Sequence, residues 1–218
     1  LEKAFEEKYP DIDVLAEYHG SIQVMRHVTE LHEEIDIVAT ADQSLVPMLM
    51  YQVNIPGTDQ AYANWTISIA SNRLAIAYKP DSKYSGEINQ DNWWEILSRP
   101  DVKVGLSDPR FDAVGYRQLM VFALAQDVYQ QDDIFKDFLE DQFTHKIRLV
   151  DMDDMQIIRI PEVLETTRES HIMMRGSSVA LISLLEVGEI DYAFEYESVI
   201  KQHGFEMLRL PDSLNLGN

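Results

Sequence analysis

The sequence predicts an α/β fold whose sheets are mostly parallel. Three observations carry this. Runs with strand periodicity alternate with runs of helical periodicity along the whole chain, the order that strand–helix–strand units require. Of the 218 residues, 45% are hydrophobic, enough for a packed core. The junctions from strand to helix repeatedly hold Gly, Ser, Thr and Asp, the residues that start helices.

In chain order, residues 1–9 read as a short amphipathic helix ended by Pro10. Residues 12–17 are an expected strand, with Ile12, Val14 and Ala16 on one face. Gly20-Ser21 opens a helix over residues 22–31, with Ile22, Met25, Val28 and Leu31 at helical spacing. Residues 35–40 read as a buried strand, and Asp42 as the N-cap of a helix reaching Met50 despite Pro47. Residues 53–63 carry Pro56-Gly57 and read as a loop. Two β runs follow, 65–70 and 73–79. Asp91 is the expected cap of a helix bearing Trp93-Trp94, and residues 102–106 a strand. After a loop over 107–115, a strong helix is expected over 116–129 and another over 134–141. Residues 147–150 and 156–160 are expected strands around an acidic turn. A strand over 171–174, a helix over 178–186, a strand over 190–194, a helix over 199–202 and a strand over 207–210 complete the chain.

Composition excludes several function classes. The chain carries 38 Asp and Glu against 18 Lys and Arg, a net charge of −20. Broad nucleic-acid binding draws its affinity from Lys and Arg at phosphates, so it is excluded here. With no Cys, disulfides, thiolate zinc sites, iron–sulfur clusters and a Cys nucleophile are excluded too. No apolar run, the stretch 179–185 included, approaches the roughly 20 residues of a membrane span. The helical pattern is already under way at Leu1, so the chain is expected to continue upstream, where a targeting segment would lie.

Four loops share a chemistry of small and hydroxyl residues at a helix start: His19-Gly20-Ser21, Thr40-Ala41-Asp42, Asp112-Ala113-Val114-Gly115 and Arg175-Gly176-Ser177-Ser178. Free N–H groups and the positive helix end suit an oxyanion. Ordinary N-caps use the same residues. Asp112 fits a cap equally well. A carboxylate beside a bound dianion is repulsive, unless the anion is a metalate whose central atom accepts another oxygen.

Other candidates carry less. His27 and His32 fall on different faces of a helix, and Leu31-His32-Glu33-Glu34 lacks the second His of a zincin motif. Asp151-Met152-Asp153-Asp154 lacks the Gly and closing Glu of a calcium loop, so it reads as a solvated turn. Tyr192, Phe194 and Tyr196 alternate along one strand, and the Tyr196 hydroxyl, at its end, can reach a ligand. No nucleophile elbow, Walker loop or dinucleotide fingerprint occurs.

Taken together, these segments resemble a known family. Tyr18-His19-Gly20-Ser21 through Arg26, Val28-Thr29-Glu30-Leu31, Ile37-Val38-Ala39-Thr40-Ala41-Asp42 and Asn92-Trp93-Trp94-Glu95-Ile96-Leu97 are similar to archaeal molybdate/tungstate-binding proteins of the ModA/WtpA type. So are Ser107-Asp108-Pro109 with Asp112, Gly115-Tyr116-Arg117, Gly188-Glu189-Ile190-Asp191-Tyr192, Glu195-Tyr196, Gln202-His203-Gly204 and Leu210-Pro211. The resemblance implies a type II periplasmic-binding-protein fold, with two α/β lobes, a ligand cleft and two hinge crossovers near Ser71-Asn72 and Phe194. Lobe 1 would hold residues 1–71 plus 195–218, and lobe 2 residues 72–194. It implies the receptor of an ATP-driven (ABC) importer, monomeric, outside the cytoplasm and held near the membrane, with a permease subunit as partner and no cofactor. The implied molybdate or tungstate contacts are Ser21, Asp112, Ala113, Val114, Ser178 and Tyr196. Asp112 matches an Asp that ligates the metal in archaeal relatives. Ser178 stands where those relatives carry a second ligating Glu, and Glu195 is a further carboxylate nearby in sequence. Relatives begin with a strand and a Gly-Ser loop, expected upstream of Leu1. Two other classes remain open on the residues alone: an enzyme of similar architecture, for which Asp112 has no evident acid–base partner, and the ligand-sensing domain of a regulator.

Overall fold

The computed structural model describes residues 2–217. The first third of the chain is helix and loop: α1 (Glu2–Lys8), α2 (Ser21–Thr29) and α3 (Leu45–Leu49). Then come β1 (Leu74–Tyr78), α4 (Trp93–Leu97), β2 (Val104–Ser107), α5 (Ala113–Tyr129) and α6 (Ile134–Leu139). The last third holds β3 (Arg148–Met152), β4 (Met155–Arg159), β5 (Ile172–Arg175), α7 (Ser178–Glu186), β6 (Tyr192–Tyr196), α8 (Glu197–His203) and β7 (Glu206–Arg209).

Five strands form one sheet in the order β5-β2-β6-β1-β7. β2 pairs parallel with β5 and β6, while β1 pairs antiparallel with β6 and β7. The sheet is therefore mixed rather than mostly parallel as expected. Alternation of helix and strand predicts parallel crossovers, and β6–α8–β7 is one; β1 lies between those two strands and runs against both.

Period-two alternation sorts the sheet's side chains by size. Leu74, Ile76, Tyr192 and Phe194 project to one face, where they meet Trp93 of α4, Phe122 of α5 and Phe138 of α6. Ala75, Ala77 and Ala193 project to the other, against Leu181 and Leu185 of α7, Ile190 just before β6, and Ile200 of α8. Helices thus cover both faces. Small residues on the second face let α7 come close. A Cβ on Gly105 of β2 would fall 2.6 Å from Ile190 Cδ1 and 3.1 Å from Leu181 Cδ2.

Several expected elements are displaced. α5 begins three residues earlier than expected, because Asp112 takes the extended N-cap conformation and Gly115 sits within the first turn. β6 runs two residues later than expected and so takes in Glu195 and Tyr196. Asn92 rather than Asp91 is the N-cap of α4, and Ser44 rather than Asp42 that of α3. The acidic turn at 152–155 joins β3 to β4 in a separate hairpin.

The largest departure lies in the first 71 residues. The strands expected at 12–17, 35–40 and 65–70 have no ladder partner among the described residues. They carry no regular secondary structure, with Leu15 89% and Ile37 84% exposed. Alternation states that a segment suits a sheet; only a neighbouring edge makes it a strand. α2 and α3 do pack, burying Met25, Val28, Leu45, Val46 and Met50 in a small core of their own.

Residues 71–73 and 196–198 lie side by side. Leu74 is opposite Tyr196, the Glu197 N–H donates to Arg73 O at 2.9 Å, and Asn72 Nδ2 donates to Ser198 Oγ at 2.6 Å. α8 and β7 pack on this same sheet, against β1 and β6.

Phe122 is the hub of the larger core: its ring centroid lies 4.1 Å from Phe138, 5.2 Å from Trp93 and 5.5 Å from Phe194. Phe122→Ala is expected to cost about 3–5 kcal/mol through lost contacts and the cavity left behind. Denaturant unfolding of the two proteins measures it.

Candidate functional site

β2, β5 and β6 run in parallel, so their carboxyl ends lie along one edge of the sheet, where open α/β sheets bind ligands. The chain leaves that edge at Ser107, Arg175 and Tyr196, and turns into the N-termini of α5, α7 and α8.

The four loops singled out by their chemistry are brought together here through a continuous set of contacts. Ser21, buried at the first position of α2, accepts the Ala41 N–H at its Oγ, 3.2 Å away. Asp42, in the same loop as Ala41, accepts the Tyr116 hydroxyl of α5 at 2.5 Å and lies 3.5 Å from Arg117 Nη2. The Ile22 N–H donates to Phe111 O at 3.2 Å, which ties α2 to the start of α5. Gly20 is required there, because a Cβ would come within 2.4 Å of that same carbonyl oxygen. Asp112 Oδ2 closes the set: it accepts the Ser178 N–H at 2.7 Å and the Ser107 hydroxyl at 2.7 Å.

Asp112 therefore occupies the N-cap position of α5 but makes no side-chain cap to that helix. Its carboxylate caps α7 instead, from across the sheet edge. Ala113 and Val114 follow as the first residues of α5, fully buried. Gly115 completes that turn against backbone: a Cβ on it would lie 2.6 Å from Asp108 O. Tyr196 ends β6, with its hydroxyl 3.2 Å from Arg117 Nη1.

Two further residues stand in this neighbourhood: Arg117, for which the sequence implies no binding role, and Glu195, the further candidate carboxylate. Arg117 is a half-buried cation linked to both Asp42 and Tyr196. Its position one turn into α5, beside a loop rich in N–H donors, was the available signal. Glu195 is 1% exposed. Its Oε1 accepts the Tyr196 N–H at 2.7 Å, and its Oε2, among the described residues, has no hydrogen-bond partner. A single acid within the otherwise apolar strand Tyr192–Tyr196 was its signal.

Burial and linked charge set the titration of these groups. Burial pushes the Glu195 carboxyl up to about 7; the Tyr196 N–H and the Ser178 hydroxyl pull it down, and Asp112 pushes it further up. Burial also raises the Tyr196 phenol to about 12 against the pull of Arg117. Burial opposes ionisation of Asp42, but hydrogen bonds from Tyr116 and Ser44, with the charge of Arg117, hold it below the usual carboxylate range. The neighbourhood thus holds helix N-termini, hydroxyls, the Arg117 guanidinium and three carboxyls, Asp42, Asp112 and Glu195. Helix N-termini, hydroxyls and a guanidinium are groups that suit a small anion.

A family model described as bacterial extracellular solute-binding protein matches residues 1–218. A solute-binding protein of Methanococcus maripaludis strain C7 is 37% identical over 219 residues, covering 100% of this chain and 60% of the relative. One from Staphylothermus marinus is 38% identical over 216 residues, covering 98% and 58%. The molybdate/tungstate-binding protein WtpA of Pyrococcus abyssi is 36% identical over 202 residues, covering 92% and 54%. The chain spans only 54% to 62% of the length of such curated relatives.

The raised Glu195 carboxyl makes stability depend on pH. Below pH about 4.5, its ordinary value, the carboxyl is protonated in both folded and unfolded chains. As pH rises, the unfolded chain ionises first, and the native state loses stability until Glu195 itself ionises near pH 7. Glu195→Gln removes this loss. The variant is expected to gain on the wild type by roughly 2–4 kcal/mol between pH 4.5 and 8. Denaturant unfolding across that range reads the difference.

Proposed function

We propose a specific cargo for this chain, which belongs to the bacterial extracellular solute-binding family along its whole length: it binds molybdate or tungstate. The parent protein is an extracytoplasmic receptor that hands the oxyanion to the permease of an ABC-type importer and performs no chemistry on it. The observation that carries this reading is the meeting of four separate loops, each at a helix start, around the N-terminal end of α5 at Asp112. Ser178 bonds that carboxylate, Ala113 and Val114 follow it in α5, Ser21 precedes the Ile22 N–H that bonds Phe111 O, and Tyr196 pairs with Arg117 of α5. The printed name of the Pyrococcus abyssi relative, at 36% identity, supports the choice of anion.

Physical chemistry separates the metalates from other anions. Backbone N–H groups and hydroxyls hold the outer oxygens of any tetrahedral oxyanion. Asp112 repels such a dianion, but a molybdenum or tungsten centre can take a carboxylate oxygen as a further ligand. Sulfur in sulfate cannot. Ser178, where relatives carry a second Glu, leaves Asp112 as the carboxylate facing the anion, while Glu195 lies buried near the end of β6. A neutral Glu195 lowers the negative charge that the anion meets. The finer architecture belongs to the same proposal: two lobes close on the anion, and the apolar segments at 12–17, 35–40 and 65–70 contribute strands to the first.

Calorimetric titration of the full-length protein with molybdate, tungstate, sulfate and phosphate tests the reading. Metalates are expected to bind at least about 100-fold more tightly than sulfate, some 2.7 kcal/mol. Asp112→Ala is expected to remove most of that preference. Equal affinity for sulfate contradicts the metalate reading. An Asp112→Ala protein of lower stability and unchanged affinity reduces Asp112 to a tie between α5 and α7.

A further inference from the structure

The turn leading into α2 also carries a side-chain cluster that oxyanion binding does not use. Glu17, His19 and His27 each present one ligand atom, and those atoms lie within 4.8 Å of one another. His19 Nε2 is 3.6 Å from Glu17 Oε2. The two imidazoles stack, with centroids 4.9 Å apart and planes inclined at 28°. His27 Nδ1 lies 3.0 Å from Glu33 Oε2. With Nδ1–H donated to Glu33, the lone pair of His27 resides on Nε2. This is the carboxylate–histidine arrangement that fixes the tautomer of a metal-binding imidazole.

Sequence spacing hides the cluster. Helical periodicity invites a comparison of His27 with His32, but His32 turns away, in a left-handed backbone conformation, to hydrogen bond Tyr62 Oη at 2.6 Å. The partner of His27 is His19, eight residues upstream, where the chain doubles back as it enters α2. The side chains of His19 and His27 are partly covered, at 34% and 19% exposure, and Glu17 is open to solvent.

We propose that Glu17, His19 and His27 form a binding site for a divalent transition-metal ion, with Glu33 orienting His27. Two imidazoles and a carboxylate are the donors that zinc, copper and nickel ions prefer, whereas magnesium and calcium take oxygen ligands. Three protein ligands on an exposed turn leave the remaining position to water. The ion, once bound, replaces the crowding of two imidazoles beside an acid with three coordinate bonds, and it joins the segment before α2 to the middle of that helix. The site is separate from the oxyanion reading and stands or falls without it.

Calorimetry of the metal-free full-length protein with zinc chloride, in the absence of any oxyanion, tests the proposal. One ion per chain is expected. His19→Ala and His27→Ala should each weaken binding by at least about 10-fold, as should Glu33→Gln through loss of the imidazole's support. Electron paramagnetic resonance with one equivalent of copper(II) is expected to show two nitrogen ligands in the wild type and one in either histidine variant. Circular dichroism establishes that the variants are folded. No zinc uptake by the wild type, or unchanged zinc affinity in both folded histidine variants, overturns the proposal.

Discussion

One carboxylate oxygen ties the functional edge of this molecule together. Asp112 Oδ2 receives a hydroxyl from the end of β2 and a backbone N–H from the start of α7. A carboxylate that is 7% exposed must have such donors, because an unpaired buried charge costs several kcal/mol. Meeting that need fixes the approach of α7 to α5, and with it the place of Ser178. The same turn fixes α2, since Phe111, the preceding residue, supplies the carbonyl that Ile22 bonds and Gly20 packs against.

The sheet explains why these groups meet. Three parallel strands, β5, β2 and β6, end on one edge, and a small-residue face lets α7 lie close behind them. Large residues fill the other face, where the aromatic cluster around Phe122 anchors the long helix α5. The N-terminus of α5 is therefore held by packing far from the site, and its free N–H groups cost little to orient. Arg117, one turn along, brings the only guanidinium described in contact with Tyr196. Glu195, buried one residue before Tyr196, accepts the Tyr196 N–H.

Local signals in the sequence were enough for most elements of the larger unit. Residues 178–186 form a helix with the bounds that periodicity indicates, and the strands at 74–78, 104–107 and 172–175 lie within two residues of expectation. The antiparallel placement of β1 between β6 and β7 was not legible, because pairing direction is set by tertiary placement and not by the composition of the strand. The segments at 12–17, 35–40 and 65–70 show the opposite limit: correct alternation, no edge to join. In the candidate site, the loops and Asp112 stood out by residue type. The bond from Asp112 to Ser178 spans 66 residues and follows from tertiary geometry alone. The His19–His27 pair was hidden for the same reason.

The position of the bound metal tests the account most directly. Crystals of the full-length protein grown with tungstate, measured at the tungsten absorption edge, locate it by anomalous scattering. The account predicts one peak next to the Asp112 carboxylate, with oxygens of the anion reaching Ser21, the N–H groups of Ala113 and Val114, Ser178 and Tyr196. A peak elsewhere in the molecule, or a tungsten centre with no contact to the residues around Asp112, contradicts it.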